Sequence, residues 1–354
     1  MPSFAKSVSL SGMPRPAGPD RPVTINDIAA AAGVAASTVS RALNNPGRVN
    51  AATRERIEAA ARELRYVPNS PARALSSGRT RAIAVLVSDV TNPFYFGVIR
   101  GTQQQLKAAG YAQLLIDTED SGELEAEMLH KMRRSLDGAI LAASRLSDRE
   151  LSRLAGEIPL VTINRNIRGV PSAIIDTPAG ISQAAEHLLS LGHRDIAYVS
   201  GPQRSWPNEA RWHAMREVAS RHRLTFTRVG PFPSGRGSGP AAADAVLNTG
   251  ATACIVFNDL LAIGILQRLR ERHVRVPEDL SVVGCDDIFG ADFCHPPLTT
   301  LTAPIEQAGR VAVSMLLSRL DRSAAPSPTT RQQVMLPVHL TVRASTGPAR
   351  PPSP

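Results

Sequence analysis

Eight short runs of aliphatic and β-branched residues recur along the chain from residue 82, and amphipathic segments separate them. Strands that alternate with helices at this spacing predict a parallel, doubly wound α/β fold. Because about 260 residues of this kind are long for one sheet, we expect two α/β lobes. The runs predicted as strands are AIAVLV, AQLLI, GAILAA, LVTI, SAIID, IAYVS, ACIVF and LSVVG.

Residues 21–69 have a different pattern, in which apolar side chains recur at the three- and four-residue spacing of helices. Short helices are predicted over 27–32, 37–43 and 51–64, with Gly33 in a tight turn between the first two. Two short helices joined by such a turn match the helix-turn-helix plan. One small core is expected from Ile28, Ala29, Val34, Val39, Leu43, Ile57, Ala60 and Leu64.

The formal net charge of +9 is distributed unevenly along the chain. Residues 21–80 contain nine arginines and only four acidic residues, so more than half of the excess lies in this short region. A local basic excess is typical of a segment that binds nucleic acid. Arginine richness by itself carries less weight, because arginine outnumbers lysine throughout the chain.

Several classes of protein are disfavoured by what the sequence lacks. No apolar run reaches the roughly 18 residues that a membrane-spanning helix needs, and the first twenty residues do not resemble a signal peptide. A cytoplasmic protein is therefore expected. The three cysteines, at positions 254, 285 and 294, have neither metal-ligand spacing nor an even number for disulfides, so no metal or cofactor is predicted. The sequence contains no P-loop, HExxH or GxSxG motif. Asp286 and Asp287 are adjacent and should point in different directions, so an enzyme is not expected either.

The run VTINDIAAAAGVAASTVSRALNNPGRVNAATRERIEAAARELRYVPN, residues 23–69, strongly resembles the LacI/GalR family of bacterial transcription regulators. The resemblance continues through VTNPFYFGVIRG, LLSLGHRDIAYVSGP, FNDLLAIG and VPEDLSVVGCDD, and it extends to about Arg343. It implies a helix-turn-helix DNA-binding domain followed by a periplasmic-binding-protein-like core, whose two lobes close on an effector.

The resemblance and the composition together divide the chain. A disordered extension over 1–20 is expected to precede the DNA-binding domain over 21–69, a hinge over 70–81, an effector-binding and dimerisation core over 82–343 and a disordered tail over 344–354. The tail lacks heptads, so a homodimer is expected rather than a tetramer. Within the core, the N-lobe is predicted over 82–178 and 304–336, and the C-lobe over 179–303 and 337–343.

By the resemblance, the second helix enters the major groove of DNA and directs its N-terminal residues at base edges. The base-reading positions carried over are Ala36, Ser37 and Arg41. An arginine can pair with two acceptors of guanine, but Arg41 could instead contact phosphate. The residues predicted to position the DNA backbone are Thr24, Thr38, Ser40, Asn50 and Arg54.

Leu75 is a large aliphatic residue in the otherwise small and polar segment PARALSSG. The resemblance implies a hinge helix in which the paired leucines of two subunits insert into the minor groove and bend the duplex. Ala72 is small enough to let two such helices approach each other. The alternative is a flexible linker whose leucine packs on the core.

Polar residues follow several predicted strands, and ligands of doubly wound folds bind at the carboxyl ends of strands. The effector contacts carried over from the family are Phe94, Arg165, Arg211, Asn258 and Asp286, and Asn92 is added because it follows the first predicted strand, as Asp89 does. Carboxylates, amides and guanidiniums can pair with sugar hydroxyls, although Asn258 could merely cap the next helix. Two arginines in one cleft would also suit an acidic sugar or a phosphosugar.

Three functions are compatible with such a core. A sugar-binding transport component is disfavoured by the basic N-terminal domain and the missing signal peptide, and an enzyme by the missing motifs. We therefore expect a homodimeric repressor that binds a near-palindromic operator in double-stranded DNA, with no membrane partner. A small sugar or sugar derivative is expected to control its affinity for the operator.

Overall fold

The computed structural model describes residues 23–44, 46–66, 79–222, 224, 226–321 and 333–350. These residues belong to two compact units, Met1–Gly78 and Arg79–Pro354. The predicted N-terminal extension, Ala72 and Leu75 of the predicted hinge, and residues 351–354 lie outside the described residues.

The first unit is a small helical domain built from α1 (Ile25–Ala32), α2 (Ala36–Asn44) and α3 (Ala51–Glu63). Gly33 ends α1 with a φ of 63°, a left-handed conformation that glycine adopts without strain, so the predicted turn is confirmed. The core centres on fully buried side chains of the three helices and contains five of the eight residues predicted for it, while the other three, Val34, Leu43 and Leu64, are half-buried and pack against it. Each large aliphatic side chain buried here contributes about 1.5–3 kcal/mol to folding.

Local hydrogen bonds explain where two of these helices begin. At the start of α1, the backbone N–H and the hydroxyl of Thr24 both donate to Asp27 Oδ2, at 2.7 Å each. At the start of α3, Asn50 Oδ1 accepts from the backbone N–H of Thr53 at 2.8 Å. The second contact satisfies a donor that would otherwise have no partner within the helix.

The second unit contains two six-stranded sheets. The first sheet is parallel, has the strand order β11-β5-β4-β3-β1-β2 and defines the N-lobe. Its strands are β1 (Ala82–Val87), β2 (Ala112–Asp117), β3 (Gly138–Ala142), β4 (Leu160–Ile163), β5 (Ser172–Ile175) and β11 (Gln333–Leu336). The helices of this lobe are α4 (Phe94–Ala108), α5 (Gly122–Met132), α6 (Asp148–Glu157) and α11 (Ile305–Leu320).

The second sheet, of the C-lobe, has the order β12-β10-β9-β8-β6-β7, and only β12 runs antiparallel to its neighbour. Its strands are β6 (Ile196–Val199), β7 (Thr227–Val229), β8 (Ala253–Val256), β9 (Ser281–Asp286), β10 (Thr299–Thr302) and β12 (His339–Thr341). The helices of this lobe are α7 (Thr177–Ser190), α8 (Trp206–His222), α9 (Gly239–Leu247) and α10 (Asp259–Glu271).

Each sheet is covered by apolar clusters on both faces, as the nearly continuous apolar strands of the sequence require. The doubly wound α/β fold with two lobes is therefore confirmed. In the N-lobe, α4 and α11 pack closely at Gly101, where a Cβ atom would lie 2.1 Å from the backbone oxygen of Glu306. Among the helices of the described ranges, none is both long and apolar enough to span a bilayer.

The tail predicted to be disordered from residue 344 is instead packed against the C-lobe over residues 344–350. Ser345 is fully buried, and its hydroxyl donates to the backbone oxygen of Val282 at 2.6 Å. His193 Nε2 lies 3.0 Å from the backbone oxygen of Gly347. The proline-rich composition suggested disorder, but these hydrogen bonds anchor the backbone. The prediction was wrong for this stretch.

Candidate functional site

Helix α2 has one buried face and one exposed face. Val39 and Ala42 are buried in the helical core, whereas Ser37 and Arg41 are exposed. Residues four apart lie on the same side of a helix, so these two predicted base-reading residues form one outward surface. Ala36, also predicted to read bases, is partly buried at the first position of the helix and adds no bulk to this surface.

Two of the five residues predicted to contact the DNA backbone lie at helix N-termini, and the other three lie within helices. Thr24 precedes α1 and Asn50 precedes α3, and both make the local hydrogen bonds described above. Arg54 lies one turn into α3, with its Nε 3.7 Å from Glu58 Oε1. Thr38 and Ser40 are partly buried in α2. Helix N-termini attract phosphates through their free N–H groups and dipoles, so the positions of Thr24 and Asn50 suit backbone contacts.

In the second unit, a cleft lies at the carboxyl ends of strands from both lobes. Five of the six predicted effector contacts line this cleft, namely Asn92, Phe94, Arg211, Asn258 and Asp286. The N-lobe contributes further residues to the lining, including Ser88, Asp89, Tyr95, Asp120, Arg145 and Asn164. The additional C-lobe residues are Ser205, Pro207, Ser234 and Phe257.

Arg211 is held in place by several partners and is only 3% exposed. Its Nε donates to Thr177 Oγ1 at 3.1 Å, and its Nη1 donates to the backbone oxygen of Phe257. The guanidinium also lies over the ring of Phe257, 4.9 Å from the ring centre. Its Nη2 is 3.6 Å from Asp286 Oδ1, which makes a buried ion pair at the base of the cleft.

Asp286 ends β9 with a φ of 126°, a conformation that non-glycine residues rarely adopt. Such backbone outliers cluster at binding sites, where the surrounding fold stabilises them. Burial raises the pKa of Asp286 to about 7, and Arg211 counters this effect only in part.

A second buried carboxyl, that of Asp259 on α10, lies near Asp286 and adds to the rise of its pKa. Asp259 accepts hydrogen bonds from Thr300 Oγ1 at 2.5 Å and from the backbone N–H of Ile288 at 3.0 Å. Burial nevertheless raises the pKa of Asp259 to about 6. Ionisation of these two carboxyls at the base of the cleft is therefore energetically unfavourable.

Two asparagines of the cleft have structural roles as well. Asn258 Oδ1 accepts from the backbone N–H of Leu261 at 3.0 Å, so the capping role considered from the sequence is confirmed. Asn92 Oδ1 accepts from the backbone N–H of Phe94 at 3.0 Å. Because the oxygens are engaged, the amide Nδ2 groups are the donors that each asparagine offers to a ligand.

Arg165 does not line the cleft, so its predicted contact is corrected. The residue before it, Asn164, follows β4 with a φ of 55° and lines the cleft in its place. Arg165 is directed elsewhere, with its Nη2 2.6 Å from Asp148 Oδ1. The left-handed conformation of Asn164 changes the direction of the chain after β4. Counting residues from the end of the strand therefore does not show which of the two side chains faces the cleft.

Asp120 and Arg145 form an ion pair in the N-lobe that was not predicted from the sequence, between a half-buried carboxylate and a buried guanidinium. Arg145 Nη2 donates to Asp120 Oδ1 at 2.7 Å, and only 6% of the arginine side chain is exposed. Ser234 reaches across from the C-lobe, and its hydroxyl donates to Asp120 Oδ2 at 3.5 Å. Asp120 and Arg145 follow the ends of β2 and β3 by three residues each, so a search of the residues after strand ends could have found them.

Comparisons with known proteins agree with this architecture. The family model "Bacterial regulatory proteins, lacI family" matches residues 24–69, and that of a periplasmic binding protein-like domain matches residues 185–346. The HTH-type transcriptional regulator DegA of Bacillus subtilis is 33% identical over 337 residues, which cover 92% of this chain and 98% of DegA. The HTH-type transcriptional repressor CytR of Escherichia coli K12 is 32% identical over 305 residues, covering 84% of this chain and 89% of CytR.

Solved structures show the same likeness. A lac repressor dimer bound to operator and the anti-inducer ONPF has a TM-score of 0.81 and 28% identity, covering 92% of this chain and 100% of that chain. A complex of the transcriptional regulator CelR with cellobiose has a TM-score of 0.66 and 32% identity, with the same coverage of both chains.

Proposed function

Because the chain belongs to the LacI family of bacterial regulatory proteins, we propose that α2 reads operator DNA and that the cleft binds the controlling effector. The protein is a sequence-specific, DNA-binding transcriptional regulator of the repressor type. The observation that carries the proposal is the likeness to the operator-bound lac repressor dimer over 92% of the chain. A small sugar-like effector controls its affinity for the operator, as the cellobiose complex of CelR suggests.

On the DNA, Arg41 pairs with the two major-groove acceptors of a guanine and Ser37 with a neighbouring base edge. Ala36 contacts a thymine methyl group, and small residues at this helix end allow close approach to the groove. A homodimer places one α2 in each half-site of a near-palindromic operator. The hinge role of Leu75, which rests on the resemblance alone, belongs to the same proposal.

In the cleft, the effector binds between the lobes and contacts Asp286, Arg211, Asn258, Asn92 and Phe94. It changes operator affinity only to the extent that it binds one arrangement of the lobes better than another. The relatives are regulators, so we assign binding rather than catalysis to this cleft. Since operator DNA is the target, we place the protein in the bacterial cytoplasm.

The base-reading role of α2 is tested with Arg41→Gln after operator selection from random duplexes. Loss of a bidentate guanine contact should weaken operator binding by about 10- to 100-fold and relax the preference at one base pair. Arg62→Gln is the matched control, because Arg62 is an exposed arginine of α3 and its substitution removes the same charge. An equal loss on operator and mixed-sequence DNA would assign Arg41 to phosphate contact instead.

The effector role of the cleft is tested by thermal-shift screening against a panel of sugars, followed by operator-binding assays with each stabilising sugar. Asp286→Ala should abolish the response to that sugar and leave operator binding intact. Asp148→Ala removes an exposed carboxylate outside the cleft lining and should respond normally. An unchanged response of the Asp286 variant would contradict the proposed site.

A further inference from the structure

The charged groups of the cleft indicate which kind of effector it accepts. Three carboxylates, of Asp89, Asp120 and Asp286, line the cleft beside two guanidiniums, of Arg145 and Arg211. The lining is therefore negative by one charge when all groups are ionised, and it is neutral when one carboxyl carries a proton. In neither state does it offer a net positive charge to an anion.

Both arginines already have partners within the protein, and Arg145 Nε, which has no hydrogen-bond partner among the described residues, is itself buried. Arg145 already donates to Asp120 and, through Nη1, to the backbone oxygen of Ala143 at 3.2 Å. Arg211 donates to Thr177 and to the backbone of Phe257, and it lies close to Asp286. A phosphate or carboxylate that bound either guanidinium would have to displace these acceptors. It would also lie beside a carboxylate in a partly buried site, where like charges repel strongly.

The same groups suit hydroxyl groups well. Asp120 Oδ2 receives only the long contact from Ser234 across the cleft, so it can accept a hydrogen bond from a ligand hydroxyl placed between the lobes. The amides of Asn92 and Asn258 can donate to ligand oxygens. Phe94 and Phe257 supply apolar faces in the same lining.

We propose that the effector is an uncharged polyhydroxyl compound, and that Asp120 excludes phosphorylated and carboxylated sugars by occupying the guanidinium of Arg145. This inference rests on the proposed effector role of the cleft and narrows it to one chemical class. It replaces the acidic sugar or phosphosugar suggested from the sequence, which rested on Arg165 and Arg211, whereas the structure places Arg145 and Arg211 in the cleft. The decisive feature is that Arg145 is paired with Asp120 and Arg211 with Asp286, which a count of arginines in the sequence does not reveal.

The first experiment uses inorganic phosphate as the probe and chloride at equal ionic strength as the reference. Thermal unfolding of the full chain is followed by the fluorescence of its two tryptophans, Trp206 and Trp212, which both lie on α8 in the C-lobe. Phosphate should not raise the Tm of the wild-type protein. Asp120→Asn frees Arg145 and should create a phosphate-dependent rise in Tm. Asparagine tolerates the φ of 56° at this position, so the variant is expected to fold.

Glu157→Gln is the matched control. It removes one carboxylate from the exposed pair with Arg153 and makes the same change in net charge outside the cleft. This variant should behave as the wild type does. A phosphate-dependent rise in the wild type that Arg145→Gln abolishes would overturn the proposal, as would an Asp120→Asn variant that gains no rise.

The second experiment compares ribose with ribose 5-phosphate, glucose with glucose 6-phosphate, and galactose with galacturonate. Among pairs that bind, the uncharged member should bind the wild type at least about tenfold more tightly, a difference of about 1.4 kcal/mol. Preference for the charged member would overturn the proposal. If no sugar of either kind binds, the sugar-like effector of the proposed function fails, and the phosphate experiment still decides the inference about charge.

Discussion

Replacing Asp286 by asparagine removes a buried carboxyl whose ionisation opposes folding. The pKa of this group rises from 3.8 to about 7 on burial, so the folded chain retains a proton that the unfolded chain has lost between these values. Below pH 3.8 both states are protonated and the ionisation has no effect. As pH rises toward 7, the wild type should lose up to about 4 kcal/mol of stability relative to the asparagine variant, and the difference should then level off.

The pH dependence of the difference in unfolding free energy between the wild type and the asparagine variant isolates the cost of ionising Asp286. Arg211 loses its partner in the variant, but arginine stays charged at every pH used, so this adds a constant offset. Asp259 is electrostatically coupled to Asp286, so part of the slope belongs to the pair. Most other titrating groups change equally in both proteins and cancel in the difference.

The assay is urea unfolding at intervals between about pH 4 and pH 8, followed by the fluorescence of Trp206 and Trp212 in the C-lobe. Asp148→Asn serves as control, because it makes the same substitution at a side chain that is 75% exposed. A difference that stays flat with pH would refute the argument from burial. A wild type that gains stability relative to the variant as pH rises would mean that the Arg211 pair outweighs burial.

Three further substitutions test the packing and the helix ends. Gly101→Ala should destabilise the N-lobe by about 1–3 kcal/mol, because the new methyl group would lie 2.1 Å from a backbone oxygen of α11. Gly156→Ala is the control, because a Cβ atom at Gly156 would meet no neighbouring atom within 4 Å, and it should be neutral or stabilising in the same unfolding assay. Asn50→Ala should cost the helical unit about 1 kcal/mol by removing the cap of α3, as measured by thermal unfolding followed by circular dichroism. Gly201→Ala should weaken effector binding in calorimetry, because its Cβ would lie 2.3 Å from the ring of Phe257 in the cleft lining; unchanged affinity would mean that the ring moves without consequence.

Four strands escaped prediction, and their side chains explain why. Strands β7, β11 and β12 consist mostly of exposed or half-buried residues, and β10 contains three threonines, so none of the four has the buried aliphatic run that marks the equally short strands β4, β6 and β8. Three of them lie at sheet edges, where one side of the strand has no neighbour in the sheet and side chains are less uniformly apolar. The eight strands that were predicted occupy the more buried positions, apart from the edge strand β2.

The sequence by itself determined the features that depend on near neighbours along the chain. Helical spacing identified the core of the DNA-binding unit, Gly33 marked its turn, and positions after strand ends identified part of the cleft lining, including Asn92, Asn258 and Asp286. These signals are local, because periodicity and cap chemistry act over a few residues.

Only the tertiary structure decided which charges meet. Arg145 pairs with Asp120, 25 positions earlier, whereas Arg211 meets Asp286 from a different element of the C-lobe. Arg165 turns away from the cleft after a single left-handed residue. The type of each residue determines the charge of its side chain, but the tertiary fold determines which side chains lie next to it. The net charge of the cleft lining and the partners of its arginines, and hence the class of effector proposed for the cleft, follow from those neighbours.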